Sequence, residues 1–456
     1  MTAALDAKVV AARAAGALSR ATGRGGTSLP GKVLLRLEPH AIGRLGARLG
    51  RGSAVISATN GKTTTAAMAA GILERAGARL VHNRAGANMA GGIAATLLGA
   101  AGRRGTIAGD TGLFEVDEFW LGQVVADLRP RALLLANLSR DQLDRYGELD
   151  TIAERWAEVA ESALDTRLVL NADDPTVADL GRHRDDALYF GVEDDGVALA
   201  EMQHAADAKH CRRCGAPYRY DAVYLGHLGH YHCDACGATR PAPAVAAERV
   251  VLDGVRGARF TLRTPAGTAE IALPLPGLYN VYNALGAAAL ALALGAGLDE
   301  VQAGLQAVSP AFGRAETLHI GGRDLSIMLI KNPAGANEVL RTLALEEGEH
   351  DVFAVLNDNV ADGRDVSWVW DADFELLAGR VRRATCSGTR AAEMALRLKY
   401  AGVPAQRLVV EPSVGEGLDH ALDAGQGPLF ALPTYTAMLA LRDVLVARGV
   451  AGSSFA

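Results

Sequence analysis

A short polar segment between an apolar run and a helical pattern has the residue types of a phosphate-binding loop. It reads T-N-G-K-T-T at residues 59–64. Backbone N–H groups of such a loop point at phosphate oxygens, Lys62 can reach the β- and γ-phosphates, and the Thr63 hydroxyl can hold Mg²⁺. Ile56 stands where the G-x4-G-K-[ST] pattern has its first glycine, so a chance turn is the competing interpretation. The strand-to-helix context favours an ATP site at Thr59, Asn60, Gly61, Lys62, Thr63 and Thr64.

Four of the five cysteines form two C-x2-C pairs, each followed by a glycine. This spacing is typical of a zinc ribbon, in which two turns supply four thiolates and no coordination position stays open. The sequence therefore predicts a structural Zn²⁺ ion, with an Fe–S centre or a reducible dithiol pair as alternatives. Three histidines crowd the second pair, at positions 227, 230 and 232, and roles at the surface or beside the ligands are favoured for them. The predicted ligands are Cys211, Cys214, Cys233 and Cys236.

An aspartate-rich loop lies in the last third of the chain, at residues 356–375, and contains Trp368 and Trp370. Aspartates in loops are most often turn formers and helix caps. The neighbouring tryptophans suggest instead a buried or interfacial anchor. The aspartates in question are Asp358, Asp362, Asp365 and Asp371.

The elements that must position these residues follow an alternating strand–helix rhythm, which is typical of βαβ units and a mostly parallel sheet. Strands are predicted at 54–58, 80–82, 112–116, 132–136, 168–170, 188–190, 259–263, 352–356, 384–386, 408–410 and 429–432, and a buried helix at 284–298. The resulting α/β organisation has an N-terminal arm (1–50), a central ATP-binding domain (51–318) that carries an inserted ribbon (205–243), and a C-terminal Rossmann-like α/β domain (319–456).

Charge and hydropathy exclude several classes of protein. The chain has 46 Lys+Arg and 52 Asp+Glu, a net charge of −6, which argues against a general nucleic-acid binder, although arginines surround the cysteine pairs. Its longest apolar run is short of the roughly 20 residues that span a bilayer. No secretory signal is recognised, so a cytoplasmic enzyme is expected.

The loop and five further segments resemble the Mur ligase family, the ATP-dependent ligases that build the peptidoglycan stem peptide. The segments are F-E-V-D-E at 114–118, N-L-S-R-D-Q-L-D-R-Y-G at 137–147, N-A-D-D-P at 171–175, N-V-Y-N-A at 280–284 and G-R-A-E at 313–316. The resemblance implies that Glu115, or else Glu118, binds Mg²⁺ together with Thr63. It also implies nucleotide contacts from Asn280, Asn283 and Arg314.

Three departures from the family pattern argue against a standard amino-acid-adding ligase. Gln142 replaces the family's histidine, and no lysine lies between Lys62 and Lys209, so the carbamylated lysine of several Mur ligases is absent. At the entry to the C-terminal domain the chain reads K-N-P-A-G at 331–335 where the family commonly has D-Y-A-H.

The four-cysteine ribbon, K-N-P-A-G and the aspartate-rich loop together resemble one branch of this family, the ligase subunits of lipid II isoglutaminyl synthase. That resemblance implies a heterodimer with a GatD-type glutaminase, to which the loop lends a catalytic aspartate. Its place in A-D-G-R-D selects Asp365, with Asp362, Asp358 and Asp371 as substitutes. The implied reaction is ATP-dependent amidation of the α-carboxylate of D-isoglutamate in lipid II, at the inner membrane face. The alternative is a stand-alone Mur-like ligase that adds an amino acid.

Overall fold

The computed structural model describes residues 2–21, 28–83, 87–102, 106–140, 149–203, 206–309, 314–423, 425 and 427–452. Its larger sheet has nine strands in the order β11-β10-β9-β6-β5-β4-β1-β3-β2. The pairs from β9 to β2 are parallel, and β10 and β11 pair antiparallel at one edge. The strands are β1 (Ser53–Ser57), β2 (Leu80–His82), β3 (Thr111–Glu115), β4 (Ala132–Leu135), β5 (Arg167–Asn171), β6 (Leu188–Val192), β9 (Val245–Leu252), β10 (Ala258–Thr264) and β11 (Gly267–Leu273).

Both faces of this sheet are buried, which explains why its strands read as continuous apolar runs. Along β1, Ala54 and Ile56 join one hydrophobic core while Val55 joins the other. The helices that accompany the sheet are α1 (Thr2–Ala21), α2 (Leu29–Leu37), α3 (Ala41–Gly46), α4 (Lys62–Arg75), α5 (Ala90–Ala100), α6 (Leu121–Leu128), α7 (Leu149–Ser162), α8 (Pro175–Ala178), α9 (Leu278–Ala293) and α10 (Leu298–Gln306).

A separate two-stranded hairpin, β7 (Arg219–Leu225) and β8 (Leu228–His232), lies between β6 and β9 in the chain. Its register pairs Leu225 with Leu228, so Gly226 and His227 form a two-residue turn. The four paired cysteines flank this hairpin. Within the predicted insertion at 205–243, we call residues 211–240 the ribbon.

A second sheet of six strands follows, in the order β12-β13-β17-β14-β15-β16, parallel except for the β12–β13 hairpin. The strands are β12 (Arg314–Ile320), β13 (Arg323–Met328), β14 (His350–Val355), β15 (Val381–Ser387), β16 (Leu408–Val410) and β17 (Leu429–Pro433). The helices are α11 (Pro333–Ala344), α12 (Ala391–Tyr400), α13 (Val414–Asp423) and α14 (Tyr435–Ala447).

The α/β class with mixed sheets is confirmed, and each predicted strand is present to within a few residues. The predicted helix at 284–298 was misplaced, because α9 begins at Leu278 and ends at Ala293. The chain leaves the helix at Gly295, whose φ of 98° lies in the left-handed region that favours glycine. The antiparallel hairpins were not predicted. In the described residues no helix combines the length and apolarity needed to cross a bilayer.

Arg397 of α12 anchors the aspartate-rich loop to the C-terminal sheet. Its guanidinium is buried and donates to the carbonyl of Val369 at 2.9 Å and to that of Ala372 at 2.7 Å. It also lies over the rings of Trp370 and Phe374, at 5.4 and 5.3 Å from their centroids. One side chain thus fixes the part of the loop that follows Asp365.

Replacing this arginine should loosen the loop. Arg397→Met leaves two buried carbonyls without donors, so we expect the free energy of unfolding to fall by about 2–3 kcal/mol. Urea unfolding of the full chain measures this. The matched control is Lys399→Met, since Lys399 is exposed on the same helix. Equal effects of the two substitutions would contradict the anchoring role.

Candidate active site

A cavity of about 470 Å³ opens where the carboxyl ends of β1, β3 and β4 face the C-terminal domain. Ligands of open α/β sheets bind at this edge, because the loops after parallel strands converge there. The walls come from the phosphate loop, the β3–α6 loop, the start of α9, the ribbon turn and the start of α11. Besides Gly61, the polar residues that line it include Thr59, Asn60, Lys62, Thr63, Thr64, Glu115, Asp117, Glu118, Asn137, Ser139, His227, Asn280, Asn283 and Lys331.

The phosphate loop is held in place by the segment that follows β4. The Asn60 N–H donates to Asn137 Oδ1 at 2.9 Å, and Asn137 Nδ2 donates back to the Asn60 carbonyl at 3.0 Å. Thr59 also bonds this segment, because the Ser139 N–H donates to its hydroxyl at 3.1 Å. This pairing fixes the loop backbone, whose remaining N–H groups can then point to an anion.

Lys62 begins α4 and reaches across the loop. Its ammonium lies 3.0 Å from each carboxylate oxygen of Glu118 and also contacts the Ala58 carbonyl. Gly61 precedes it with φ of 83°, and a Cβ on Gly61 would lie 2.0 Å from Asn283 Oδ1. Any larger residue at position 61 would have to displace the Asn283 amide and hold a strained left-handed backbone.

The two candidate magnesium ligands differ in their surroundings. Glu115 ends β3, is 3% exposed and lines the cavity, and in the described residues its carboxylate makes no hydrogen bond or ion pair. Glu118 is instead bound to Lys62 through both oxygens. The structure leaves the carboxylate of Glu115 available to a cation beside Thr63.

The start of α9 brings the two predicted asparagines together. Asn283 Nδ2 donates to Asn280 Oδ1 at 3.0 Å, and the Thr65 hydroxyl donates to Asn283 Oδ1 at 3.2 Å. Both asparagines are buried and line the cavity next to the phosphate loop. The side chain of Arg314 and the motif residues at 141–147, with Gln142, lie outside the described residues.

The four cysteines converge at one point of the ribbon, where their sulfur atoms all lie within 4.8 Å of one another. Cys211 Sγ is 3.6 Å from Cys236 Sγ, and Cys214 Sγ is 3.6 Å from Cys233 Sγ. Tetrahedral ligands with metal–sulfur bonds of about 2.3 Å have sulfur atoms about 3.8 Å apart. The arrangement could hold a metal ion.

The thiols of this cluster differ in acidity. Although burial acts to raise it, backbone N–H groups such as that of Arg213 lower the pKa of Cys211 to about 7. Although the Ala238 N–H acts to lower it, burial and the neighbouring thiols raise the pKa of Cys236 to about 12. Four thiolates this close can coexist only around a cation.

The ribbon turn reaches the cavity through His227, which is 2% exposed. His227 Nε2 lies 3.4 Å from Oδ2 of Asp174, a fully buried carboxylate. Burial acts to lower the pKa of His227, but Asp174, and Asp207 beside it, raise that pKa above its ordinary value. The turn therefore faces the central domain through a charge contact that pairs His227 with Asp174 when the imidazole is protonated, although Nε2 makes no hydrogen bond in the described residues.

Two of the four candidate aspartates are occupied within the chain. Asp358 accepts from Arg390 Nε at 2.9 Å and from the Thr389 hydroxyl at 2.8 Å. Asp362 is buried and accepts from the Thr436 N–H at 2.7 Å and from the Thr436 hydroxyl. Neither is free to serve another group without losing these bonds.

The other two, Asp365 and Asp371, are exposed. Asp365 Oδ1 accepts from the Ser367 N–H at 2.8 Å, and this bond lowers the pKa of the Asp365 carboxyl. The loop that carries it also contributes Ala361 to the cavity wall. Asp365 is thus an ionised, accessible carboxylate on a loop whose first part reaches the cavity.

Two site features were missed by sequence reasoning. Lys331 Nζ donates to the Thr59 carbonyl at 3.3 Å, and Asn332 Nδ2 donates to Asn60 Oδ1 at 3.0 Å, so the C-terminal domain contacts the phosphate loop. K-N-P-A-G was used only as a family marker, although N-P also signals a helix start and α11 does begin at Pro333. The ribbon turn carries no local signal of its place in the cavity.

Comparison with known proteins agrees with this architecture. The family model for the Mur ligase middle domain matches residues 56–234. The family model described as MurT ligase C-terminal matches residues 329–438. A solved pseudomurein peptide ligase type C from Methanothermus fervidus aligns with a TM-score of 0.69 at 23% identity, over 89% of this chain and 80% of that chain. The fold and the site define the class of the Mur ligases.

Two curated relatives narrow the class. The lipid II isoglutaminyl synthase (glutamine-hydrolyzing) subunit MurT of Streptococcus pneumoniae is 31% identical over 94% of each chain. The protein of the same name from Staphylococcus aureus strain N315 is 32% identical, again over 94% of each chain. The chain belongs to the MurT family.

The tight fit at Gly61 predicts a selective loss of nucleotide affinity. Gly61→Ala adds a left-handed strain of about 1–2 kcal/mol and a clash with Asn283, so ADP should bind at least about tenfold more weakly. Isothermal titration with the full chain measures this. Gly77→Ala is the matched control, because Gly77 has φ of 80° beyond the other end of α4 and no atom within 4 Å of its Cβ position. Equal affinities in the two variants would contradict the prediction.

The ion pair of His227 predicts a pH-dependent stability. A folded-state pKa above the unfolded value of about 6.5 adds stability that is complete at low pH and is lost as the pH rises through the folded pKa. His227→Gln should therefore lower the free energy of unfolding more at about pH 6 than at about pH 9. Urea unfolding of both proteins across this range measures the difference, and a loss that does not change with pH would refute it.

Proposed function

We propose that this chain is the ligase subunit of a lipid II isoglutaminyl synthase. It would amidate the α-carboxylate of D-isoglutamate in the lipid II stem peptide to D-isoglutamine, at the expense of ATP. The observation that carries the proposal is the similarity to two MurT subunits over 94% of each chain. The cavity between the two domains supports it with a phosphate loop, an available acidic ligand and cations from both domains.

The reaction would take place in this cavity in two steps. The loop N–H groups, Lys62 and Lys331 would bind the β- and γ-phosphates of ATP, and Asn280 and Asn283 would hold the adenine. The substrate carboxylate attacks the γ-phosphorus and releases ADP, which leaves an acyl phosphate. Ammonia then attacks the acyl carbon, and the C–O bond to phosphate breaks with its electron pair moving to the phosphate oxygen. The nitrogen loses one proton, which leaves with the phosphate as hydrogen phosphate.

Magnesium would be held by Thr63 and Glu115, whose carboxylate is buried and available at the cavity wall. When bound, it supplies positive charge that offsets the charge of the transferring phosphoryl group. Zinc would be held by the four ribbon cysteines, whose sulfur spacing fits a tetrahedral ion. With four thiolate ligands the zinc site leaves no open position and would be structural.

Ammonia would come from a GatD-type glutaminase, and the word subunit in the relatives' names supports such a partner. A carboxylate orients a catalytic imidazole and stabilises its protonated form. Asp365 fits this role across an interface, because it is exposed and ionised while Asp358 and Asp362 are occupied. The lipid carrier of the substrate would bring the complex to the inner face of the cytoplasmic membrane as a peripheral enzyme.

The role of Asp365 can be tested in the complex with the partner glutaminase. Asp365→Asn keeps the acceptor for Ser367 but removes the charge, so we expect glutamine hydrolysis to fall by about 100-fold or more. Amidation of lipid II with glutamine should fall equally, whereas amidation with added ammonium chloride and ADP binding should persist. The readouts are glutamate release and mass spectrometry of the lipid II product.

Asp371→Asn is the matched control, because Asp371 is also exposed on this loop. Full glutaminase activity in Asp365→Asn together with loss in Asp371→Asn would move the role to Asp371. A chain that forms no complex with a glutaminase, and adds an amino acid instead of ammonia, would refute the proposed function.

A further inference from the structure

The turn of the ribbon hairpin lies far in sequence from the phosphate loop, yet both line one cavity. Residues 225–228 contribute to the wall, and the four cysteines lie at the opposite end of the same hairpin. Three connections lead from the ribbon to the parts of the cavity that would bind nucleotide.

The first connection runs from the turn to the phosphate loop. His227 Nε2 lies 3.4 Å from Asp174 Oδ2, and the same oxygen accepts from the Leu138 N–H at 3.0 Å. Leu138 lies between Asn137 and Ser139, the two residues that bond Asn60 and Thr59. His227 therefore acts on the loop through a single buried carboxylate and one stretch of backbone.

The second connection runs from the ribbon to α9. Arg240 Nε, four residues after the last cysteine, donates to Asp173 Oδ1 at 2.6 Å, and the Tyr282 hydroxyl donates to Asp173 Oδ2 at 2.6 Å. The Gly229 N–H of β8 also donates to the Asp173 carbonyl at 2.9 Å. Tyr282 lies on α9 between Asn280 and Asn283, so this path ends at the two asparagines.

The third connection joins the hairpin to the C-terminal domain. Arg341 of α11 donates to the carbonyl of Tyr224 at 2.7 Å and to Glu338 Oε1 at 3.0 Å. The same helix begins beside Asn332, which bonds Asn60. The hairpin is therefore in contact with both sides of the cavity.

The ribbon has little core of its own with which to hold this position. Its separate hydrophobic cluster consists of Cys211, Cys233 and Ala238, with Ala216 and Tyr218 packed against it. The hairpin strands contribute Ala222, Tyr224 and Leu228 to the core of the central domain, whereas the two cysteine turns have only the small cluster. Small metal sites of this kind commonly fold only with the ion bound.

We propose that the ribbon is a positioning element of the nucleotide site, so that metal loading of the four cysteines sets the affinity of the chain for nucleotide. His227 and Arg240 are the positioning residues of this coupling. The inference rests on the proposed nucleotide site, and it goes beyond a purely structural zinc by giving the ion an effect on ligand binding.

The first test compares the full chain with and without zinc. Zinc is removed with a chelator under reducing conditions, its content is measured by atomic absorption, and ADP with Mg²⁺ is titrated calorimetrically. We expect the zinc-free chain to bind ADP at least about tenfold more weakly, with recovery on adding zinc alone. Amide hydrogen exchange should rise at residues 57–62 and 137–139 in the zinc-free form, while the C-terminal sheet should be unchanged.

The second test keeps the zinc and alters the connection. His227→Leu should weaken ADP binding by about tenfold and His227→Gln, which retains a donor, by less, both with full zinc content. His232→Leu is the matched control, because His232 lies on the same hairpin but contacts Asp221 and Asp234, away from the cavity. Its affinity should equal that of the unchanged chain.

Equal ADP affinity with and without zinc, or in His227→Leu and His232→Leu, would overturn this inference and leave the proposed function intact. Failure of the zinc-loaded chain to bind ADP at all would overturn the nucleotide site and the inference with it. A uniform rise of exchange over the whole central domain, without a local rise at the two segments, would show unfolding rather than positioning and would also overturn the inference.

Discussion

Two adjacent buried carboxylates, Asp173 and Asp174, are the constraint on which the central domain depends. Both side chains are fully buried, and a buried charge is tolerated only when it is paired and hydrogen-bonded. The two carboxylates have different partners. Asp173 accepts hydrogen bonds from Arg240 and Tyr282. Asp174 lies beside His227 and accepts a hydrogen bond from the Leu138 N–H. Satisfying the pair therefore brings the ribbon, α9 and the support of the phosphate loop to one place.

The sequence was sufficient for the parts of the site that are local. The phosphate loop and its flanking strand and helix follow from contiguous residues, and the spacing of the cysteines already indicates a metal cluster. Glu115 could not be separated from Glu118 on sequence, because the distinction depends on Lys62, which reaches Glu118 from another element. The start of α9 was missed because Asn280 and Asn283 interrupt its apolar pattern, although both side chains are buried.

Contacts between distant segments account for what could not be predicted. The ribbon turn has no motif, and its place in the cavity follows from packing against both domains. Likewise the aspartate-rich loop looks uniform in composition, yet Asp358 and Asp362 are bonded to other elements whereas Asp365 and Asp371 are exposed. That division depends on Thr436 and Arg390, which come from other elements of the C-terminal sheet domain.

The contact between Lys331 and the phosphate loop has an evolutionary consequence. Its acceptor is the main-chain carbonyl of Thr59, which Lys62 also approaches, at 3.5 Å. A carbonyl is present whatever side chain occupies position 59, so drift at that position leaves this link between the domains in place. Selection on this contact can therefore act on the side chain at position 331 but not on the side chain at position 59.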